Sequence, residues 1–216
     1  MAASDLDGAE PFGFVIGVCR MQQIEAQFLA MVRQNPNNDV ILNRMATFGL
    51  ADWWLTAGCL AQTVWNLQAG FAVDAHIADY DLFYFDDDTS FEAEDRVITQ
   101  IARLFADLPV RVEIRNQARV PIWYAPKFGF PYGPVTCAAD GIGRFAYQTT
   151  AIGVAQNPVG DCCVHAPFGL ENVMAGRVVP NPVLPVGDVY RQKTARWGKI
   201  WPQLSIQPWP DDGPLN

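Results

Sequence analysis

Apolar residues recur along this chain at two periods, and the switches between them mark out its elements. Between Cys19 and Gln34, the residues Met21, Ile24, Phe28, Met31 and Val32 fall on one side of a helical spiral with polar residues opposite, which predicts a helix. A second helix is expected from Asn38 to Phe48, with Val40, Ile41, Met45 and Phe48 inward and Gly49 closing it. The run from Asp52 to Ala57 reads as a short buried strand, Gly58 as a break, and Leu60 to Leu67 as a helix ended by Gly70. After a loop from Phe71 to Ala78, the stretch from Asp79 to Phe85 is an aromatic strand with carboxylates at alternate positions near its start.

The acidic turn Asp86, Asp87, Asp88 reads as solvated, and Thr89 with Glu92 three residues on reads as a capping box. A helix to about Leu108 is expected behind it, with Val97, Ile98, Ile101, Leu104 and Phe105 as its inward stripe. Val110 to Arg115 alternates apolar with charged residues and predicts a strand with one buried face. Beyond it come a proline-rich stretch to Pro134 and a helix to about Ala146. Two short strands follow, from Thr149 to Ala155 and from Cys162 to His165, around a turn at Asn157 to Gly160, and a last helix runs from Val189 to Trp201. There is no repeat and no low-complexity segment.

Asp79 and Asp81 change the picture. Residues two apart on a strand share a face, so the two side chains project together, and two neighbouring anions repel unless a cation lies between them. A divalent metal that prefers oxygen ligands suits that position. The 216 residues suffice for one sizeable core, and no apolar run reaches the length of a membrane span. The first residues lack the basic and apolar blocks of a signal peptide, so a cytoplasmic home is expected. Five cysteines without Cys-x-x-Cys spacing suggest buried thiols and neither a disulfide framework nor a zinc site. A formal charge of −8 argues against a long nucleic-acid track and favours a compact substrate. His76 and His165 have no partner at ligand spacing, and Arg191, Lys193, Arg196 and Lys199 on the last helix read as a basic solvated face.

Three pieces stand in order: a glycine at a helix start (Gly58, Cys59), the Asp79–Asp81 strand, and Glu113 between apolar neighbours on a later strand. This order resembles the nucleotidyltransferase superfamily typified by DNA polymerase beta. The wording of residues 57–66, 79–86, 115–120, 166–172 and 180–183 is similar to a bacterial nucleotidyltransferase-like family, and the resemblance runs from Trp53 to Trp209. It implies a mixed α/β (α+β) fold, a mixed sheet flanked by helices, in one domain over residues 19–216. That domain would have a catalytic core at about 50–120 and an extension at about 121–216, behind a tail at 1–18.

It further implies that Asp79, Asp81 and Glu113 hold one or two magnesium ions, or manganese, and carry the catalysis. Gly58 and Cys59 would meet the triphosphate at the helix start, and Arg111 and Arg115 would neutralise phosphate. Cys59 stands where the superfamily usually has serine or glycine. The expected reaction moves a nucleoside monophosphate from a nucleoside triphosphate to an unknown acceptor. A catalytically silent binding module and a metal-dependent phosphohydrolase remain open at this point, as does the reading of Arg111, Glu113 and Arg115 as a salt-bridged surface ladder.

Overall fold

The computed structural model describes residues 12–212, with side chains over 21–211. In chain order the elements are α1 (Phe12–Val32), α2 (Pro36–Ala46), β1 (Trp53–Thr56), α3 (Gly58–Ala69), β2 (Tyr80–Tyr84), α4 (Phe91–Leu104), β3 (Val112–Asn116) and α5 (Val120–Phe128). They continue as α6 (Ala138–Ile142), β4 (Gly153–Gln156), β5 (Cys162–His165), α7 (Glu171–Met174), β6 (Arg177–Val178), α8 (Gly187–Ile200) and β7 (Ser205–Ile206).

Five strands form one mixed sheet in the order β3-β2-β1-β4-β5. β2 and β3 run parallel, joined across α4, and every other pair is antiparallel. The mixed sheet expected from the sequence is therefore present, with the Asp81 strand beside the Glu113 strand. The register pairs Asp81 with Glu113 on β3 and with Thr56 on β1. β4 pairs with the other side of β1 and β5 forms the edge beyond it, so the sheet that carries the segment expected to form the catalytic core is completed by residues from outside that segment.

Alternation on β2 decides which face is which. Tyr80, Leu82 and Tyr84 are each 1% exposed and join Leu55 and Ile114 in the main core. Burying each such side chain contributes about 1.5–3 kcal/mol, so turning the strand over would lose several of these terms at once. Asp81 and Phe83 are left on the opposite face. Trp65 of α3, fully buried, packs edge-on against Trp197 of α8 at 5.3 Å and against Trp201 at 5.5 Å, fixing α8 to the sheet's helical layer.

The structure departs from several expectations. α1 begins at Phe12, where the sequence predicts a start at Cys19 behind a tail over 1–18; residues 1–11 of that expected tail lie outside the described residues. Met21, expected to face inward, is exposed. The cap of α4 is Ser90 and not Thr89: Ser90 is the residue with extended backbone, and its hydroxyl accepts from Ala93 N at 3.2 Å. α4 ends at Leu104, short of Leu108, with Phe105 tucked beneath its last turn. The proline-rich stretch contains α5, and the helix expected to reach Ala146 is the short α6. Among the described residues no helix is long and apolar enough to cross a membrane.

Candidate active site

The acidic pair is aimed by what lies behind it. Between Asp79 and Asp81, the Tyr80 hydroxyl reaches into the core and accepts from Asn35 Nδ2 at 3.1 Å and Asn37 Nδ2 at 3.2 Å. Asn35 Nδ2 also donates to Thr63 Oγ1 on α3 at 3.0 Å. These groups are buried, and leaving any one of them unpaired costs about 1–3 kcal/mol, so the network pins the strand's phase. Upstream, Asn66 Nδ2 donates to Val73 O at 3.2 Å and Ala75 O at 2.7 Å while its Oδ1 accepts from Trp201 Nε1 at 2.9 Å. That clamp holds the loop that delivers Asp79.

The start of α3 lies beside the pair. Ala57, its N-cap, has φ 65° and ψ −129°, a region that L-residues occupy at a cost of about 1–3 kcal/mol. It is held there by its N–H donating to Ile152 O at 3.1 Å. No side chain caps this helix, and the first-turn amides of any helix lack intrahelical partners, so an anion is favoured here. A Cβ at Gly58 would come within 2.7 Å of Gln62 Nε2, so glycine lets Gln62 fold over the helix start.

Cys59 does not meet the expectation placed on it. Its side chain is 1% exposed and its Sγ donates to Thr56 O at 3.4 Å. Burial, and then the nearby Asp81 charge, push the thiol well above its ordinary range. The side chain is thus part of the core, and only its backbone belongs to the helix start.

A cleft of about 500 Å³ opens over this surface, lined by Gly58, Asp79, Asp81, Phe83 and Arg115, with Lys193 and Arg196 contributed by α8. Along one side α8 carries Val189, Lys193, Arg196 and Trp197, over about two turns, and all four line the cleft. The reading of this helix as a merely solvated basic face is corrected for Lys193 and Arg196. It stands for Arg191, paired with Asp188 at 2.7 Å, and for Lys199, which lies away from the cleft. A wall of aromatic residues from α5 and from Tyr132, unforeseen in the sequence, completes the cleft. A second, shallower groove beside Phe48, Val97 and Leu104 has no acidic residue in its lining.

The electrostatics single out Asp81. Its carboxyl is pushed from 3.8 up to about 7, first by burial and then by the like charges of Asp79 and Glu113, with Lys193 and Arg115 pulling the other way. Directly across β1, the Thr56 hydroxyl is buried without a hydrogen-bond partner among the described residues. Glu113 stands beside Asp81 in register, but it is ion-paired with Arg111, and Arg115 Nη2 lies 3.7 Å from its Oε2. Arg111 lies outside the cleft and Arg115 lines it.

Among the described residues no group of three or more carboxylate, histidine or cysteine side chains converges as a metal cage. Of the three expected carboxylates, Asp79 and Asp81 line the cleft, while Glu113 stands beside Asp81 in register and is ion-paired with arginines. Two carboxylates fit magnesium, which is commonly held by one or two of them together with substrate phosphates and water. His165 packs near Trp54 and His76 between Phe71 and Trp201, neither at the cleft.

Known proteins resemble this chain in fold and in family. Among solved structures, one described by the words "The NMR structure of the protein reveals a CCA-adding enzyme head domain" is similar in fold. It aligns with a TM-score of 0.65 and 24% identity over 85% of this chain and 96% of its own. No curated protein matches the chain. A family model described as nucleotidyltransferase matches residues 43–206, a span that takes in the helix start, both acidic strands and the basic helix α8. The chain thus belongs to that nucleotidyltransferase family.

Proposed function

We propose that this protein is a magnesium-dependent nucleotidyltransferase of the cytoplasm that moves a nucleoside monophosphate from a nucleoside triphosphate to an acceptor hydroxyl. The observation that carries the reading is Asp81. Its carboxyl is withdrawn from water, crowded by two like charges, and set in one cleft with Asp79 and an uncapped helix start. Such a pair lowers its energy by taking up a cation.

Asp79 and Asp81 would hold the metal, which would supply charge stabilisation to the transferring phosphoryl group and the leaving pyrophosphate. The backbone amides at Gly58 and Cys59 receive phosphate oxygens. Lys193, Arg196 and Arg115 surround the remaining negative charge, and Glu113 orients Arg115 through their ion pair. Retention of both aspartates together with these cations favours catalysis over a silent module.

The test is incubation of the protein with each of the four common nucleoside triphosphates, magnesium and a cell extract as acceptor source. Pyrophosphate release and transfer of an α-phosphate label are followed. Both should appear with at least one triphosphate and vanish with Asp79→Ala. Absence of pyrophosphate release with all four would sink the reading. Release of inorganic phosphate in its place would support a phosphohydrolase.

A further inference from the structure

The cleft is longer than the phosphate chemistry requires, and its far part is built differently. Phe83 follows Asp81 by two residues on the same face of β2, about 7 Å along the strand. That step is comparable with the span of one ribose. From Phe83 onward the lining turns aromatic. Phe83 packs against Phe145 at 5.4 Å, and α5 brings Tyr124 and Phe128 with ring centroids 4.5 Å apart.

Tyr132 sits between Tyr124 at 4.6 Å and the Arg144 guanidinium at 4.9 Å. Arg144 is not free to swing. Its Nη1 donates to Asp140 O at 2.9 Å and its Nη2 to Pro134 O, so the plane of the guanidinium is set against the ring by two carbonyls. The Tyr132 ring is buried and backs the Arg144 guanidinium, while Phe128, 41% exposed, and Trp123, 38% exposed, leave a patch of aromatic surface open in the cleft.

Flat π-faces and a planar cation that begin one ribose length from the acidic pair match a nucleobase. We infer that Tyr124, Phe128, Tyr132 and Arg144 form the subsite for the base of the bound triphosphate, and that it selects purines over pyrimidines. Selection follows from stacking: a two-ring base covers more of the aromatic and guanidinium surface than a one-ring base. This inference rests on the proposed function, since it takes the triphosphate tail to lie at Asp79, Asp81 and the start of α3.

The experiment measures equilibrium binding of ATP, GTP, CTP, UTP and inorganic tripolyphosphate to the full chain with magnesium. Wild type, Phe128→Ala, Tyr132→Leu and Tyr132→Phe are compared, and thermal melts confirm that each variant folds. ATP and GTP should each bind at least about fivefold more tightly than CTP and UTP, as expected where stacking dominates. Phe128→Ala and Tyr132→Leu should weaken ATP by about tenfold, leave tripolyphosphate unchanged, and erase the purine preference. Tyr132→Phe, which keeps the ring, should behave as wild type.

If all four nucleotides bind no more tightly than tripolyphosphate, or if the preference survives Phe128→Ala in a folded protein, the base subsite is overturned while the proposed function stands. If neither nucleotides nor tripolyphosphate bind, both fall together.

Discussion

The two sides of the cleft are built on different foundations. The floor, formed by β2 and the start of α3, belongs to the main core. Behind Asp79 and Asp81 stand Tyr80, Leu82, Asn35 and Thr63, all buried, with Asn35 hydrogen-bonded to both Tyr80 and Thr63. The wall, formed by α5 and the segment around Tyr132, gathers on a separate small cluster of Val120, Tyr124, Tyr132 and Leu184. Its outer residues Ile122, Trp123 and Phe128 are exposed. A floor locked by buried hydrogen bonds suits groups that must hold charge in one place. A wall with a small core of its own suits contacts that adapt to what is bound, because low local burial means low local stability.

The largest expected contrast is catalytic. Asp81→Asn should lower transfer by about 10³-fold, the scale on which a preorganised electrostatic group acts. It should also raise the melting temperature of the metal-free protein at pH 8, since it removes a crowded buried charge. Pyrophosphate assays and thermal melts on the same samples check both. A variant that melts lower without metal would mean that Asp81 has a stabilising partner, and the floor would lose its claim to be a waiting cation site.

The second contrast is with pH. Asp81 is raised in the folded protein, so its contribution is fully present below the ordinary value of 3.8 and is lost as pH climbs through about 7. Linkage caps the loss at about 4 kcal/mol. Metal-free wild type should therefore lose stability relative to Asp81→Asn between about pH 4 and pH 8 in denaturant titrations. Parallel curves for the two proteins would show that the carboxyl titrates normally.

Smaller effects separate floor from wall by stability. Tyr80→Phe leaves the amides of Asn35 and Asn37 short of an acceptor and should cost about 1–3 kcal/mol of unfolding free energy. Phe128→Ala, on the exposed wall, should cost only about 0.5 kcal/mol. Comparable losses at both positions would erase the distinction between the two sides. On the ligand side, Lys193→Ala should raise KM for the triphosphate by about threefold with kcat nearly kept, as expected of an exposed cation that binds ground and transition states alike. A fall in kcat with unchanged KM would move Lys193 to the floor's role.

The floor was legible in the sequence and the wall was not, for physical reasons that differ by residue. Period-two alternation puts Asp79 and Asp81 on one face whatever the fold, and the β2–β3 neighbourhood could be anticipated because carboxylates far apart in sequence serve one site only where their strands adjoin. The same rule could not say that Glu113 would be ion-paired with Arg111 and Arg115, because a carboxylate flanked by arginines reads alike as a ligand and as a ladder. α5 was hidden by its prolines. Pro121 lies in the first turn, where a missing N–H costs nothing, and Pro126 is accommodated late in the helix. Lys193 and Arg196 were misread because a charged helical face looks the same in sequence whether it meets solvent or a cleft. Cys59 was placed by its position in a motif, which says nothing of the side chain's direction at a turn as constrained as Ala57.

That turn also sets an order of events during synthesis. The peptide at Ala57 is held by the carbonyl of Ile152, and the edge of Leu55 on β1 is covered by Val154. A ribosome therefore releases the acidic pair and the helix start long before the segment that shapes them, and until β4 arrives the nascent chain carries an open strand edge of the kind that invites pairing with other chains. The part of the protein most recognisable by its motif is in this sense the last to become itself, and a fragment ending after α5 would hold the right residues without the geometry that makes them a site.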